Sequence, residues 1–125
     1  MSDDSEIYNE YKREAKEILN KMRSSFESLK ERSDTHALTE IVKCSHKIKG
    51  VAGMMDYSHI EELAKEMESV SKLIVEGKLQ LKPEIVTVLF ESMNLLAKYI
   101  ETDFEERDIT LLEKLRKLSN ITNMT

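Results

Sequence analysis

Apolar side chains return every three or four residues from the start of the chain, at Ile7, Tyr11, Ala15, Ile18, Met22, Phe26 and Leu29. That period predicts an amphipathic helix over about residues 5–30 with one buried stripe. ERSDTHA interrupts it, and Ser33 or Asp34 can cap a second helix over about 35–54, whose stripe is Leu38, Ile41, Ser45, Ile48 and Ala52. After the connector MDYS, Ser58 and Glu61 have the spacing of a capping box, which predicts a third helix over about 58–76. Its stripe is Ile60, Leu63, Ala64, Met67, Val70, Leu73 and Ile74, and Gly77 is its stop.

Pro83 suits the first turn of a fourth helix over about 83–103, with Ile85, Val88, Leu89, Leu95, Leu96, Tyr99 and Ile100 on its apolar face. The acidic ETDFEERD separates this from a short helix over about 109–119 carrying Leu111, Leu112, Leu115 and Leu118. No alternating strand pattern, repeat or low-complexity linker interrupts the series. The fold expected is all-α: an antiparallel up-down four-helix bundle with a short fifth C-terminal helix, residues 1–125 forming one domain.

Composition narrows the partners. About a third of the 125 residues are charged and the formal net charge is -5, which disfavours an electrostatic hold on nucleic acid or an anionic membrane. The single cysteine, Cys44, has no partner for an internal disulfide. No apolar run is long enough to span a bilayer, and the opening MSDDSEIYNE lacks the marks of a signal peptide. A cytoplasmic protein is therefore expected.

The stretch HKIKGVAG puts Gly50 and Gly53 four and seven residues after His46, inside a helical pattern. A glycine there costs roughly 1 kcal/mol relative to alanine. Taking Ile41 as zero, His46 lies roughly 140° away at about 100° per residue, so it points out of the core. Lys49 and Gly50 are its neighbours on the helix surface. The helix is thus bare where another protein would approach an exposed imidazole, with a cation beside it. Neutral imidazole is a nucleophile near physiological pH, and an ammonium stabilises phosphate oxygens, so the arrangement suits phosphoryl transfer. The alternative is a non-catalytic adaptor bundle in which His46 is only a surface residue.

HKIKGVAGMMDY also resembles the signature of histidine-containing phosphotransfer (HPt) domains, in particular the CheA-type domain of chemotaxis histidine kinases. The matching positions are His46, Lys49, Gly50, Ala52, Gly53 and Tyr57. The helix pattern from about Ile7 to Ile100, with the short fifth helix, resembles that domain as well. The resemblance implies that His46 accepts and donates the phosphoryl group and that Glu68, in the third helix, hydrogen-bonds its ring. Lys49 is implied as the cation on the phosphate side, and Gly50 and Gly53 as part of the partner-docking face.

Two positions depart from the pattern. Lys65 stands where some relatives have a second histidine, and Asp56 where many have glycine; aspartate tolerates a left-handed backbone better than most residues. The implied partners are a histidine kinase catalytic domain and the receiver domain of a response regulator, the isolated domain being a monomer. The domain itself is expected to bind no cofactor or metal and to have no ATP site of its own. ATP comes with the kinase and Mg with the regulator. Both a stand-alone protein and the front of a longer kinase fit these residues.

Other chemistry is weaker. His36 and His59, near helix starts, read as surface residues. Cys44 and His46 diverge by roughly 200° on a helix and cannot easily share a metal ion. Met54 and Met55 read as helix-end packing or as the rim of a docking patch. The dimerising helix pair of an ordinary sensor kinase normally has a proline a few residues after its histidine. This chain has none there.

Overall fold

The computed structural model describes residues 4–32 and 34–120. Its helices are α1 (Asp4–Arg32), α2 (Thr35–Met54), α3 (Ser58–Val75), α4 (Pro83–Thr102) and α5 (Ile109–Asn120), and no strand occurs among the described residues. α1 packs on α2 and α4, and α3 packs on α2 and α4, while α1 and α3, like α2 and α4, are diagonal, with no close backbone approach. This is the order of an up-down bundle. α5 lies against α3 and α4. None of these helices is long and apolar enough to cross a membrane.

The core is the meeting of the apolar stripes. Phe26, Leu19 and Met22 of α1, Ile41 and Ile48 of α2, Ile60, Leu63 and Met67 of α3, and Leu89, Leu96 and Ile100 of α4 are all fully buried. Each is worth about 1.5–3 kcal/mol of burial, so the core outweighs any surface ion pair in holding the bundle. Ile7, expected at the head of the α1 stripe, is 47% exposed. It precedes the tightly packed part of the helix, which begins at Tyr11.

The turns explain where the helices stop. Asp34 caps α2, its carboxylate accepting the His36 backbone N–H at 2.9 Å; Ser33, the other candidate, lies outside the described residues. At the end of α2, Asp56 takes φ 58°. The N–H of Tyr57 then reaches back to the Ala52 carbonyl at 2.9 Å and that of Asp56 to Gly53 at 3.2 Å. This pair of bonds is a Schellman closure, and aspartate supports it at a position that most often takes glycine. α3 closes in the same way at Gly77, φ 76°, with Lys78 N–H on the Leu73 carbonyl at 2.9 Å.

The expected capping box at Ser58 does not form. Tyr57 is the N-cap and no side chain caps α3. The Tyr57 ring packs edge-on against Tyr11, 5.0 Å between centroids, so the chain has already entered the helix when it reaches Ser58. Glu61 is left free to turn elsewhere. On another face of α3, Glu62 takes both the Nε and Nη2 hydrogens of Arg107 at 2.8 Å and one from Arg116 at 3.3 Å. That cluster pins α5 and the segment before it to the bundle.

Candidate functional site

His46 sits midway along α2, opposite the buried Ile41, Ile48 and Ala52. With those side chains held in the core, its ring is pushed outward and is 66% exposed. Glu68 follows the fully buried Met67 on α3, and its side chain lies in the seam with α2, only 18% exposed. The two meet across the seam, His46 Nδ1 lying 2.8 Å from Glu68 Oε2.

Lys49, one turn along α2, places Nζ 2.9 Å from the other oxygen, Oε1. One carboxylate therefore bridges the histidine and the lysine. Burial pushes the Glu68 carboxyl upward, but the hydrogen bonds from Lys49 and His46, with their charges, outweigh it and leave the group below its ordinary value. Glu68 is thus an anion near neutral pH, and a carboxylate has only acceptors. Nδ1 is then the donor to Glu68, and in the neutral ring Nε2 carries the lone pair.

Lys49 has a partner within the site. The resemblance makes it the cation on the phosphate side, and here its ammonium is held by Glu68. A carboxylate this sheltered needs a countercharge, and Lys49 is the nearest.

The two glycines also divide. A Cβ on Gly50 would meet nothing within 4 Å, so that surface is open. A Cβ on Gly53 would lie 2.7 Å from Oε2 of Glu61. That oxygen ends a flexible, exposed side chain that can turn aside, so Glu61 borders the surface at Gly53. Glu61 is the residue that sequence reasoning missed, because its spacing from Ser58 assigned it to a cap. Lys65 is exposed, and neither bond to Glu68 comes from it.

The remaining candidates separate from this site. Cys44 is buried, its thiol pushed up by that burial and then by Glu40, and it faces away from the exposed His46. His36 is exposed. His59 is half-buried rather than on the surface, edge-on to Tyr99 with ring centroids 4.7 Å apart. Met55 packs on the core, while Met54 is 86% exposed.

An all-helical bundle that presents a carboxylate-held histidine on its second helix has the form of a phosphotransfer module. The Hpt domain model matches residues 6–115, and the chain belongs to the Hpt domain family. Among curated proteins it is similar to the chemotaxis protein CheA of Salmonella typhimurium, 27% identical over 114 residues. That match covers 89% of this chain and 17% of the relative, so the chain spans about a sixth of that protein's length. Among solved structures it resembles the phosphorylated P1 domain of CheA3, crystallised in complex with CheY6 from R. sphaeroides. The TM-score is 0.78 at 20% identity, covering 91% of this chain and 95% of that one, a likeness of fold.

Proposed function

We propose that the chain is the phosphotransfer module of a chemotaxis-type phosphorelay, with Nε2 of His46 as the atom that carries the phosphoryl group. The observation that carries this reading is the bond from Nδ1 to Glu68, which leaves Nε2 as the exposed nucleophile. A kinase catalytic domain presents ATP; the Nε2–P bond forms as the bond from the γ-phosphorus to the bridging oxygen breaks, and ADP leaves. The ring gains positive charge in this step, and Glu68 beside Nδ1–H stabilises it.

In the second step the N–P bond breaks as an aspartate oxygen of a receiver domain bonds to phosphorus, and His46 returns to its neutral form. The regulator supplies Mg and the acidic pocket. The phosphorylated P1 domain of CheA3 was crystallised with CheY6, which supports a receiver as the partner class. Lys49 holds Glu68 in place and, one turn from His46, is the cation of the phosphate side. The module works by positioning and electrostatics and acts in the cytoplasm as a monomer.

The test is labelling from ATP by a chemotaxis-type kinase catalytic domain in trans, on the wild type and on His46→Gln. Acid-labile, base-stable label on the wild type alone, chased onto a receiver domain, is the expected result. A folded wild type left unlabelled by a panel of such kinases and by charged receivers would favour the adaptor reading instead.

A further inference from the structure

All four tyrosines of the chain, Tyr8, Tyr11, Tyr57 and Tyr99, line one cavity of about 280 Å³. It lies where the start of α1, the α2–α3 turn and the end of α4 come together. Between ring centroids, Tyr8 is 6.5 Å from Tyr11, Tyr11 is 5.0 Å from Tyr57, Tyr57 is 6.1 Å from His59, and His59 is 4.7 Å from Tyr99. Tyr99 stacks on Phe104, and the neighbouring Asp103 accepts the Tyr8 hydroxyl, which closes the circle. Glu105 adds a second carboxylate to the lining.

Packing alone does not account for this ring. Tyr11 is 6% exposed, yet its hydroxyl has no hydrogen-bond partner among the described residues. The lining also combines four tyrosines with two carboxylates, Asp103 and Glu105. Burial, then the neighbouring Tyr57, Tyr8 and Asp103, push ionisation of Tyr11 out of reach. Burial likewise pushes His59 down against the pull of Glu105, which keeps the imidazole uncharged near neutral pH.

Cations already sit on members of the ring. Lys12 stands 5.4 Å from the Tyr8 centroid and Lys98 stands 3.9 Å from that of Phe104. Neither ammonium lines the cavity, although Lys12 donates to the Tyr8 hydroxyl at 3.1 Å and pairs with Asp103 at 3.5 Å, which leaves Glu105 as the carboxylate without that cation. At the lower end of ligand-pocket volumes, the space suits a small guest and not a nucleotide.

We propose that this cage binds a small alkylated ammonium ion. Its alkyl groups lie against the aromatic lining, and its charge is balanced by Glu105 and by Asp103, which also pairs with Lys12 at 3.5 Å. The site is separate from His46 and stands whether or not His46 carries phosphate.

The chain has no tryptophan, so its intrinsic emission comes from the four rings of the cage. Titration with trimethylammonium chloride at constant ionic strength should give a saturable change in tyrosine emission, with a midpoint in about the millimolar range. The neutral tert-butanol, of similar size, should give none. Tyr57→Leu, checked for folding by circular dichroism, should raise the midpoint at least about tenfold, and Glu105→Gln, at an exposed position, should raise it in the same direction. No saturable change, an equal response to tert-butanol, or undiminished binding by folded Tyr57→Leu or by Glu105→Gln would overturn the proposal.

Discussion

Nδ1 of His46 and Oε2 of Glu68 lie 2.8 Å apart, so the second helix offers the histidine and the third decides which of its nitrogens faces out. The division follows from burial. Glu68 is sheltered enough to hold its place and His46 exposed enough to be reached. Lys49 fixes the far oxygen of the same carboxylate.

Removing the carboxylate should therefore damage chemistry far more than fold. Glu68→Ala is expected to slow phosphorylation of His46 about a hundredfold while changing stability by no more than about 1 kcal/mol. A time course of label incorporation beside a urea melt separates the two. An unchanged rate would mean that the bond has no part in the reaction.

Gly50 gives the opposite combination. A methyl group there meets nothing within 4 Å, so Gly50→Ala should stabilise the helix by about 0.5–1 kcal/mol. The same methyl would stand one turn from His46, in the path of a docking partner. A raised melting temperature with slower transfer to a receiver is the expected pair of results. Gain of stability with unchanged transfer would remove Gly50 from the docking face.

Glu68 also gives a direction for pH dependence. Its folded value is lowered because the bonds from Lys49 and His46 outweigh the raising effect of burial. The stabilisation is then fully present above the ordinary glutamate value, about 4.5, and is lost as pH falls through the lower folded value. The stability of wild type relative to Glu68→Gln should shrink from about pH 5 towards about pH 3. Urea melts of both proteins across that range test the sign, and a difference that grew in acid would contradict it.

Asp56 sits at φ 58°, where L-residues with ordinary side chains pay about 1–2 kcal/mol. Asp56→Val should cost about that much, and Asp56→Gly should be within about 0.5 kcal/mol of wild type. Thermal melts of the two variants check the turn between the second and third helices. Equal loss in both would show that the aspartate side chain, and not its backbone tolerance, holds the turn.

Much of the fold was legible in the chain because helical bundles write themselves locally. The stripes of α1 to α4 share a three-to-four residue period, and most of their members are buried, with Leu73, Ile74, Val88 and Leu95 partly so; Asp34, Gly77 and Pro83 mark ends by their own backbone chemistry. His46 could be placed outside the core by counting from Ile41. Glu61 could not be placed, because two roles compete for one side chain and the packing of Tyr57 on Tyr11 decides between them. The bridge from Lys49 to Glu68 depends on how deeply α3 shelters a carboxylate, which periodicity does not report. Least legible was the ring of tyrosines, whose members come from separate helices and turns and have no common spacing.

The most direct measurement is nitrogen-15 NMR of the histidine side chains after phosphorylation by a chemotaxis-type kinase domain. Coupling of phosphorus to Nε2 of His46 with Nδ1 still protonated, a signal that disappears in His46→Gln, is the expected result. Phosphorus on Nδ1, on His36 or His59, or on none of the three histidines would contradict the pairing of His46 as phosphoacceptor with Glu68 as the group that orients it.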